Sequence, residues 1–266
     1  PETIQREIKN MQENGYKEIT LLGQNVNSYH WQTKANETHN FAWLLEYIAK
    51  SFPEMRIRFA TSHPKDLTDD VLKIMAANKN ICRSIHLPVQ SGSTKILEMM
   101  KRRYSREWYI DRIRAIRKYL PDCAITSDFI AGFCNETDED HQQTLELMKW
   151  VKFDFAYMFK YSERPNTYAQ RKFDDNVPEK IKTRRLTDII ELQKELSHQS
   201  NLNDIGKTFE VLAEGVSKKS EDHLFGRNSQ NKVVVFNRVN YQSGDLVYVK
   251  ITDCTSATLK GKTVTI

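Results

Sequence analysis

Two short clusters of small and amide-bearing residues, Gly23-Gln24-Asn25 and Gln90-Ser91-Gly92, each close a run of strand-forming residues. Glycine lets a backbone approach a ligand closely, and carboxamides can both donate and accept, which suits a ligand's ammonium or carboxylate. A helix opening just after Gly92 would offer free N–H groups to a carboxylate. Each cluster also has an ordinary reading, a turn after a strand in the first and a helix N-cap in the second. Asp128 is an acceptor within an alternating polar and apolar run, with Arg58 as its candidate ion partner or as one half of a purely structural pair. Lys101-Arg102-Arg103-Tyr104-Ser105-Arg106 sets four cations around an aromatic ring. It reads as an RNA backbone patch or as a solvated helix junction. Cys82, Cys123, Cys134 and Cys254 are separated by 41, 11 and 120 residues. None of these spacings suits a zinc knuckle, a redox pair or a compact iron–sulfur loop, so the cysteines read as buried thiols in a reducing compartment. No metal ligand and no catalytic residue is assigned.

The elements that must position these groups follow from hydrophobic period. Helices are expected at 1–14, 41–51, 66–77, 94–101, 106–120 and 139–151, and strands at 18–24, 56–61, 83–90, 124–130 and 154–161. Strands that alternate with helices predict an α/β fold with a parallel sheet. Within the strands one parity is apolar and the other polar: Ile85, Leu87 and Val89 alternate with Ser84, His86 and Gln90. Parallel strands buried on both faces would be apolar throughout. The polar parity therefore predicts a partial barrel whose lumen holds a polar ligand; the alternative is an ordinary sheet with scattered satisfied polar groups. Because the chain opens on a helix, a first strand is expected upstream, which would make six. A long helix follows from Pro178 to about Asn203. Beyond it, β-branched runs at 208–216, 232–236, 246–252 and 258–266 predict a small antiparallel β-barrel.

Composition bounds the function. The chain has 266 residues, 40 basic and 35 acidic side chains and a formal charge of +5. With 39% apolar and 28% charged residues it is neither disordered nor fibrous. No apolar run approaches the ~18 residues of a membrane helix, and none suits a signal peptide. The cytoplasm is expected. Residues 205–266 hold nine basic and six acidic side chains, or +3, so more than half of the net charge lies in the small barrel. A small basic β-barrel suits oligonucleotide backbone and unstacked bases.

The stretches LLGQNVNSY at 21–29, TSHPKD at 61–66, HLPVQSGS at 86–93, KYSERPNTYA at 160–169 and FGRNSQNKVVVF at 225–236 together resemble one family, the radical S-adenosylmethionine methylthiotransferases. The likeness runs along essentially the whole chain. Within the family it is nearest the branch that acts on isopentenyladenosine in tRNA, because Glu163-Arg164-Pro165 suits that branch. What it implies is a six-stranded partial barrel at 1–176, without its first strand and cluster loop, a connecting helix at 177–204, and a TRAM RNA-binding barrel, OB-like, at 205–266. It implies a complete enzyme that cleaves S-adenosylmethionine reductively and methylthiolates C2 of isopentenyladenosine. Two 4Fe-4S clusters are implied, with ligands outside this chain, so the chain alone is expected to be inactive. The implied partners are a tRNA anticodon stem-loop and an electron donor such as flavodoxin or ferredoxin; a monomer is expected and no membrane is involved. The alternatives are a relative acting on threonylcarbamoyladenosine or on a ribosomal-protein aspartate, and a non-catalytic RNA-binding module.

By the same resemblance the adenosylmethionine contacts are Gly23, Gln24, Asn25, Arg58, Gln90, Ser91, Gly92 and Asp128. Tyr161, Glu163 and Arg164 border the mouth where the substrate base arrives, with Tyr161 placed to stack on it. Arg227, Asn228, Asn231 and Lys232 are RNA contacts, with Lys218 and Lys219 nearby and Phe236 either a contact or core. The chain departs from the family at Cys134-Asn135, where Pro-Gly is usual, and at Asn166, where glycine is usual. The Gly132…Glu136 frame of an adenine-side turn is kept, and Asn tolerates positive φ.

Overall fold

The computed structural model describes residues 1–23, 25–33, 36–60 and 64–265. Five parallel strands alternate with helices: α1 (Glu2–Glu13), β1 (Glu18–Leu21), α2 (Phe41–Ser51), β4 (Arg56–Phe59), α3 (Asp69–Ala77), β5 (Ser84–His86), α4 (Thr94–Met99), α5 (Arg106–Tyr119), β6 (Ala124–Ala131), α6 (Asp138–Val151) and β7 (Phe155–Lys160). A two-stranded hairpin, β2 (His30–Gln32) and β3 (Thr38–Asn40), is inserted before α2. β1 pairs with β4, and β5, β6 and β7 pair in that order, all in parallel. A bridge from Ile57 to Ile81 joins the two groups. Helix starts are written locally. Asn40, Ser93, Ser105 and Thr137 each accept from a backbone N–H in the first turn of the next helix.

The alternation read from the strands sorts the two faces. Ile57, Ile85, Leu87, Val89, Ile125 and Phe129 are buried under the helices. Arg58, Ser84, His86, Thr126 and Asp128 are half-buried on the inner face. β7 differs, because its inner parity is Phe155, Tyr157 and Phe159, all about half exposed.

After the short α7 (Tyr168–Lys172), helix α8 (Glu179–Leu202) leads to a closed barrel of five strands: β8 (Thr208–Val216), β9 (His223–Asn228), β10 (Val233–Asn237), β11 (Leu246–Cys254) and β12 (Leu259–Thr263). Sequence periodicity gives four of these strands and misses β9. Its Gly226 reads as a breaker, yet a Cβ there would lie 2.0 Å from the Leu212 carbonyl oxygen, so only glycine lets β8 and β9 approach. The barrel is also not wholly antiparallel as expected, because β10 and β12 pair in parallel to close it. Phe236 is fully buried in its core. All four cysteines are free and buried. Among the described residues no helix is long and apolar enough to cross a membrane.

Candidate cofactor mouth and nucleic-acid interface

The carboxyl end of β1 brings Gly23 and Asn25 of the first predicted cluster to the rim. Gly23 is exposed after β1, and nothing lies closer than 3.5 Å to where its Cβ would be, so packing alone does not demand glycine there. Asn25 is held by Ser28 and Asp66, and its amide is already engaged. Gln24, with Thr61, Ser62 and His63 of the TSHPKD stretch, lies outside the described residues.

The second cluster is tied inward. Gln90 takes a positive φ of 74°, and its backbone continues the pairing with β6, donating to Asp128 O at 2.8 Å and accepting from Ile130 N at 2.9 Å. The Gly92 N–H donates to Thr144 Oγ1 of α6 at 2.9 Å, and the Ser93 N–H to Ser91 Oγ at 3.2 Å. The expectation that these N–H groups await a ligand is corrected: α6 takes the Gly92 donor, and Ser93 caps α4. A Cβ on Gly92 would strike the α6 backbone at 2.5 Å, so this glycine serves helix packing.

On the inner face, Asp128 Oδ1 lies 3.4 Å from His86 Nε2, and His86 Nδ1 lies 2.9 Å from Thr126 Oγ1. The His86 ring meets Tyr157 edge to face. Arg58 is not the partner of Asp128. Its Nε pairs with Glu18 at 2.9 Å, and its two Nη atoms donate to the carbonyls of Ser229 and Asn228, at the opposite end of the strands.

At the mouth, two stretches far apart in sequence converge on a cavity of about 530 Å³. Met99, Met100, Ile130, Phe133 and Phe159 give it apolar walls, and Lys101, Arg102 and Arg164 lie on its lining. Lys101 Nζ sits 3.4 Å above the Tyr168 ring, a cation–π contact that sequence reading missed because α7 is only five residues long. The aromatic of the basic patch is not a platform. Tyr104 is buried, donates to the carbonyls of Pro88 and Val89, and has its pKa pushed up to about 12 by burial. Tyr161 is 9% exposed and packs edge to face on Phe133, so it lines the cavity and is not free to stack on an incoming base. Its buried hydroxyl lacks a nitrogen or oxygen partner. Burial, then the adjoining Cys134 thiol, push its pKa up. Glu163 and Arg164 are exposed.

The turn at 132–136 is braced from α8. Gly132 has φ +75°, and the Lys182 side chain fills the space where its Cβ would be. The Gly132 N–H donates to Glu136 Oε2 at 3.1 Å. Arg185 donates to Glu136 O at 2.9 Å, to Glu136 Oε1 at 3.2 Å and to Asp138 Oδ1 at 3.0 Å. Burial raises the Glu136 pKa, opposed by Arg185 and the turn's N–H groups. Asn135 and Asn166 take φ of 58° and 65°, the left-handed backbone that a glycine would otherwise supply.

Four of the predicted RNA contacts lie on the β9–β10 hairpin of the small barrel. The β9–β10 hairpin docks against the amino ends of the barrel strands. Arg56 Nη2 donates to Arg227 O at 3.1 Å, and the Arg83 N–H to Ser229 Oγ at 2.9 Å. Asn228 is fully buried, and its Oδ1 accepts from the Lys232 N–H. Lys232 Nζ reaches Asp204 and Ser200 at 2.7 Å each and Asp154 at 3.3 Å. Arg227 pairs with Glu214, and Asn231 is exposed at a left-handed position in the turn of the docked hairpin itself. A cavity of about 680 Å³ separates the hairpin from Phe155, Tyr157 and His86 of the inner face. Lys218 and Lys219 lie in the loop at the far end of the small barrel and are exposed.

This is an open parallel β/α barrel with a polar-rimmed mouth, followed by a small closed β-barrel. The radical SAM superfamily model matches residues 1–148 and the TRAM domain model residues 204–264. The chain belongs to the radical SAM superfamily and carries a TRAM domain. It is 59% identical over 263 residues to the tRNA-2-methylthio-N(6)-dimethylallyladenosine synthase of Parabacteroides distasonis, covering 99% of this chain and 57% of that protein. To the synthase of the same name from Phocaeicola vulgatus it is 55% identical, covering 99% and 58%. The chain thus spans less than three-fifths of the length of these curated relatives. Among solved structures, the radical SAM enzyme coproporphyrinogen III oxidase of Escherichia coli aligns with a TM-score of 0.47 at 18% identity, over 70% of this chain and 50% of that one.

The superfamily implies adenosylmethionine and iron–sulfur clusters. Among the described residues no group of three His, Cys, Asp or Glu is placed to hold a metal ion, so they do not fit a cluster and none is assigned to them. They do fit an adenosyl group, since the mouth cavity offers apolar walls from Met99, Ile130 and Phe133 for a purine face.

Proposed function

We propose that this chain is the barrel and TRAM part of an enzyme that methylthiolates C2 of N6-dimethylallyladenosine, also called isopentenyladenosine, beside the tRNA anticodon. The observation that carries the reading is the 59% identity over nearly the whole chain to a synthase of that activity. The mouth supports it, with an apolar cavity ringed by cations from two separate stretches. The complete barrel in this reading has six strands, the first lying upstream, and the domains divide at 1–176, 177–204 and 205–266. The cluster ligands lie outside the described residues, electrons come from a flavodoxin or ferredoxin, and the protein is a cytoplasmic monomer.

Bound adenosylmethionine supplies the hydrogen-abstracting chemistry that an unactivated aromatic C–H requires. This chain's residues hold and orient. Ile130 and Phe133 flank the adenine, Gly23 and Gln90 lie toward the amino-acid part, and Asp128, steadied by His86, accepts from ribose hydroxyls. Lys101, Arg102, Arg103 and Arg164 meet the phosphates around an extruded nucleotide. The test is to incubate the complete protein, with its clusters loaded, with adenosylmethionine, a reductant and tRNA carrying unthiolated isopentenyladenosine. Mass spectrometry should find the methylthio nucleoside. Product only from threonylcarbamoyladenosine tRNA would move the substrate, and no product from any tRNA would remove the reading.

A further inference from the structure

Docking of the β9–β10 hairpin against the barrel commits Asn228 and Lys232, two of the TRAM residues that sequence assigns to RNA, and another side of the small barrel stands open. Lys250 of β11 lies directly opposite Lys262 of β12 in the antiparallel register. Both are exposed, and among the described residues neither has a carboxylate within 4.0 Å. On its other side Lys250 faces Thr208 of β8. Like charges directly opposite one another work against a sheet, so this pair is not there for the fold. Two residues along β11, on the same face, Tyr248 is 41% exposed. Glu210 lies across from Tyr248 on β8, the side away from Lys262, and the exposed Asp253 of β11 is taken up by Lys260 of β12 at 2.8 Å. Because β8 and β11 are antiparallel, the loop after β8 that carries Lys218 and Lys219 leaves the barrel at the end where β11 enters.

We propose that this face, formed by Tyr248, Lys250 and Lys262 with Lys218 and Lys219 at its end, is the RNA-binding surface of the TRAM domain. The lysines meet successive phosphates, and the Tyr248 ring carries an unpaired base. An exposed aromatic beside unpaired point charges fits a single-stranded or loop segment, which sets a stackable base beside every phosphate, better than an acidic protein surface. The proposal rests on the reading of the chain as part of a tRNA-modifying enzyme, and it replaces the buried Asn228 and the engaged Lys232 as contacts.

The test is fluorescence anisotropy of a labelled tRNA transcript titrated with this chain, from about 50 to 200 mM salt. Lys250→Ala with Lys262→Ala should lower the slope of log affinity against log salt by about 1.5, near the value for two lost phosphate contacts. The melting temperature of that double variant should not fall, because a like-charge pair has been removed. Tyr248→Ala should weaken binding roughly tenfold with the slope unchanged. Wild-type affinity and slope in the double variant would overturn the assignment while leaving the enzyme reading intact. If the wild-type chain binds no tRNA, the face assignment falls, while the enzyme reading is decided separately by the turnover test on the complete protein. If the double variant loses polyglutamate and tRNA binding alike and Tyr248→Ala is silent, the face is an acidic-protein site and the RNA assignment is wrong.

Discussion

Asp140 shows what a single carboxylate can do beside the mouth. It accepts from Ser93 Oγ and Lys95 Nζ at 2.7 Å each and from the Thr137 N–H at 2.9 Å, tying the start of α6 to the start of α4. Burial pulls its pKa up, but the hydrogen bonds from Lys95, Thr137 and Ser93 outweigh it and hold the group at about 2. The folded pKa lies below the ordinary 3.8, so the native state binds fewer protons than the unfolded chain. The stabilisation is therefore present above about pH 4 and is lost as pH falls toward 2. Asp140→Asn should cost roughly 2 kcal/mol at pH 7 and flatten the acid limb below pH 4, as read by urea melts across pH. A variant whose acid limb matches wild type would contradict this. At this scale the sequence is legible only locally. The caps Ser93, Ser105 and Thr137 could be read from neighbours, but Asp140 could not, because its partners Ser93 and Lys95 stand 45 or more residues away.

Among the elements, the parallel strands and their helices were legible because hydrophobic period decides them. The departures each have a physical cause. β9 was hidden by Gly226, which is required by the close approach of Leu212. Gly226→Ala should destabilise the small barrel by about 3 kcal/mol, since backbone cannot yield as a side chain does; an unchanged melting temperature would argue against this packing. The hairpin 228–232 carried the residue types of an RNA loop, and only the fold shows that Arg56, Arg58 and Arg83 hold it. Lys232→Met would leave the half-buried Asp154 without its cation, while Asp204 keeps Lys207 at 3.0 Å. A loss of about 2 kcal/mol is expected, with calorimetry resolving separate transitions for the barrel and the TRAM domain. A single transition of wild-type stability would contradict the latch. Helix α8 likewise reads from sequence as a plain connector, yet its Arg185 holds the Gly132–Glu136 turn. Arg185→Leu should weaken S-adenosylhomocysteine binding to the cluster-loaded protein more than Arg185→Lys does. Equal affinity in both would remove α8 from the cofactor site.

Over the whole molecule, the two folds follow from composition and period, but their arrangement does not. The TRAM barrel is pinned at the amino ends of the parallel strands through residues some 170 positions apart, such as Arg58 and Asn228, and no local pattern encodes such a pairing. The consequence is a division of labour, with the cofactor mouth at one end of the barrel and the docked hairpin closing the other. The β11–β12 face is thereby left for RNA. The most direct measurement of the central claim is nucleoside mass spectrometry of bulk tRNA from cells lacking the complete gene. The account predicts that methylthio-isopentenyladenosine disappears while isopentenyladenosine accumulates. Persistence of methylthio-isopentenyladenosine in those cells, whatever else changes, would contradict it.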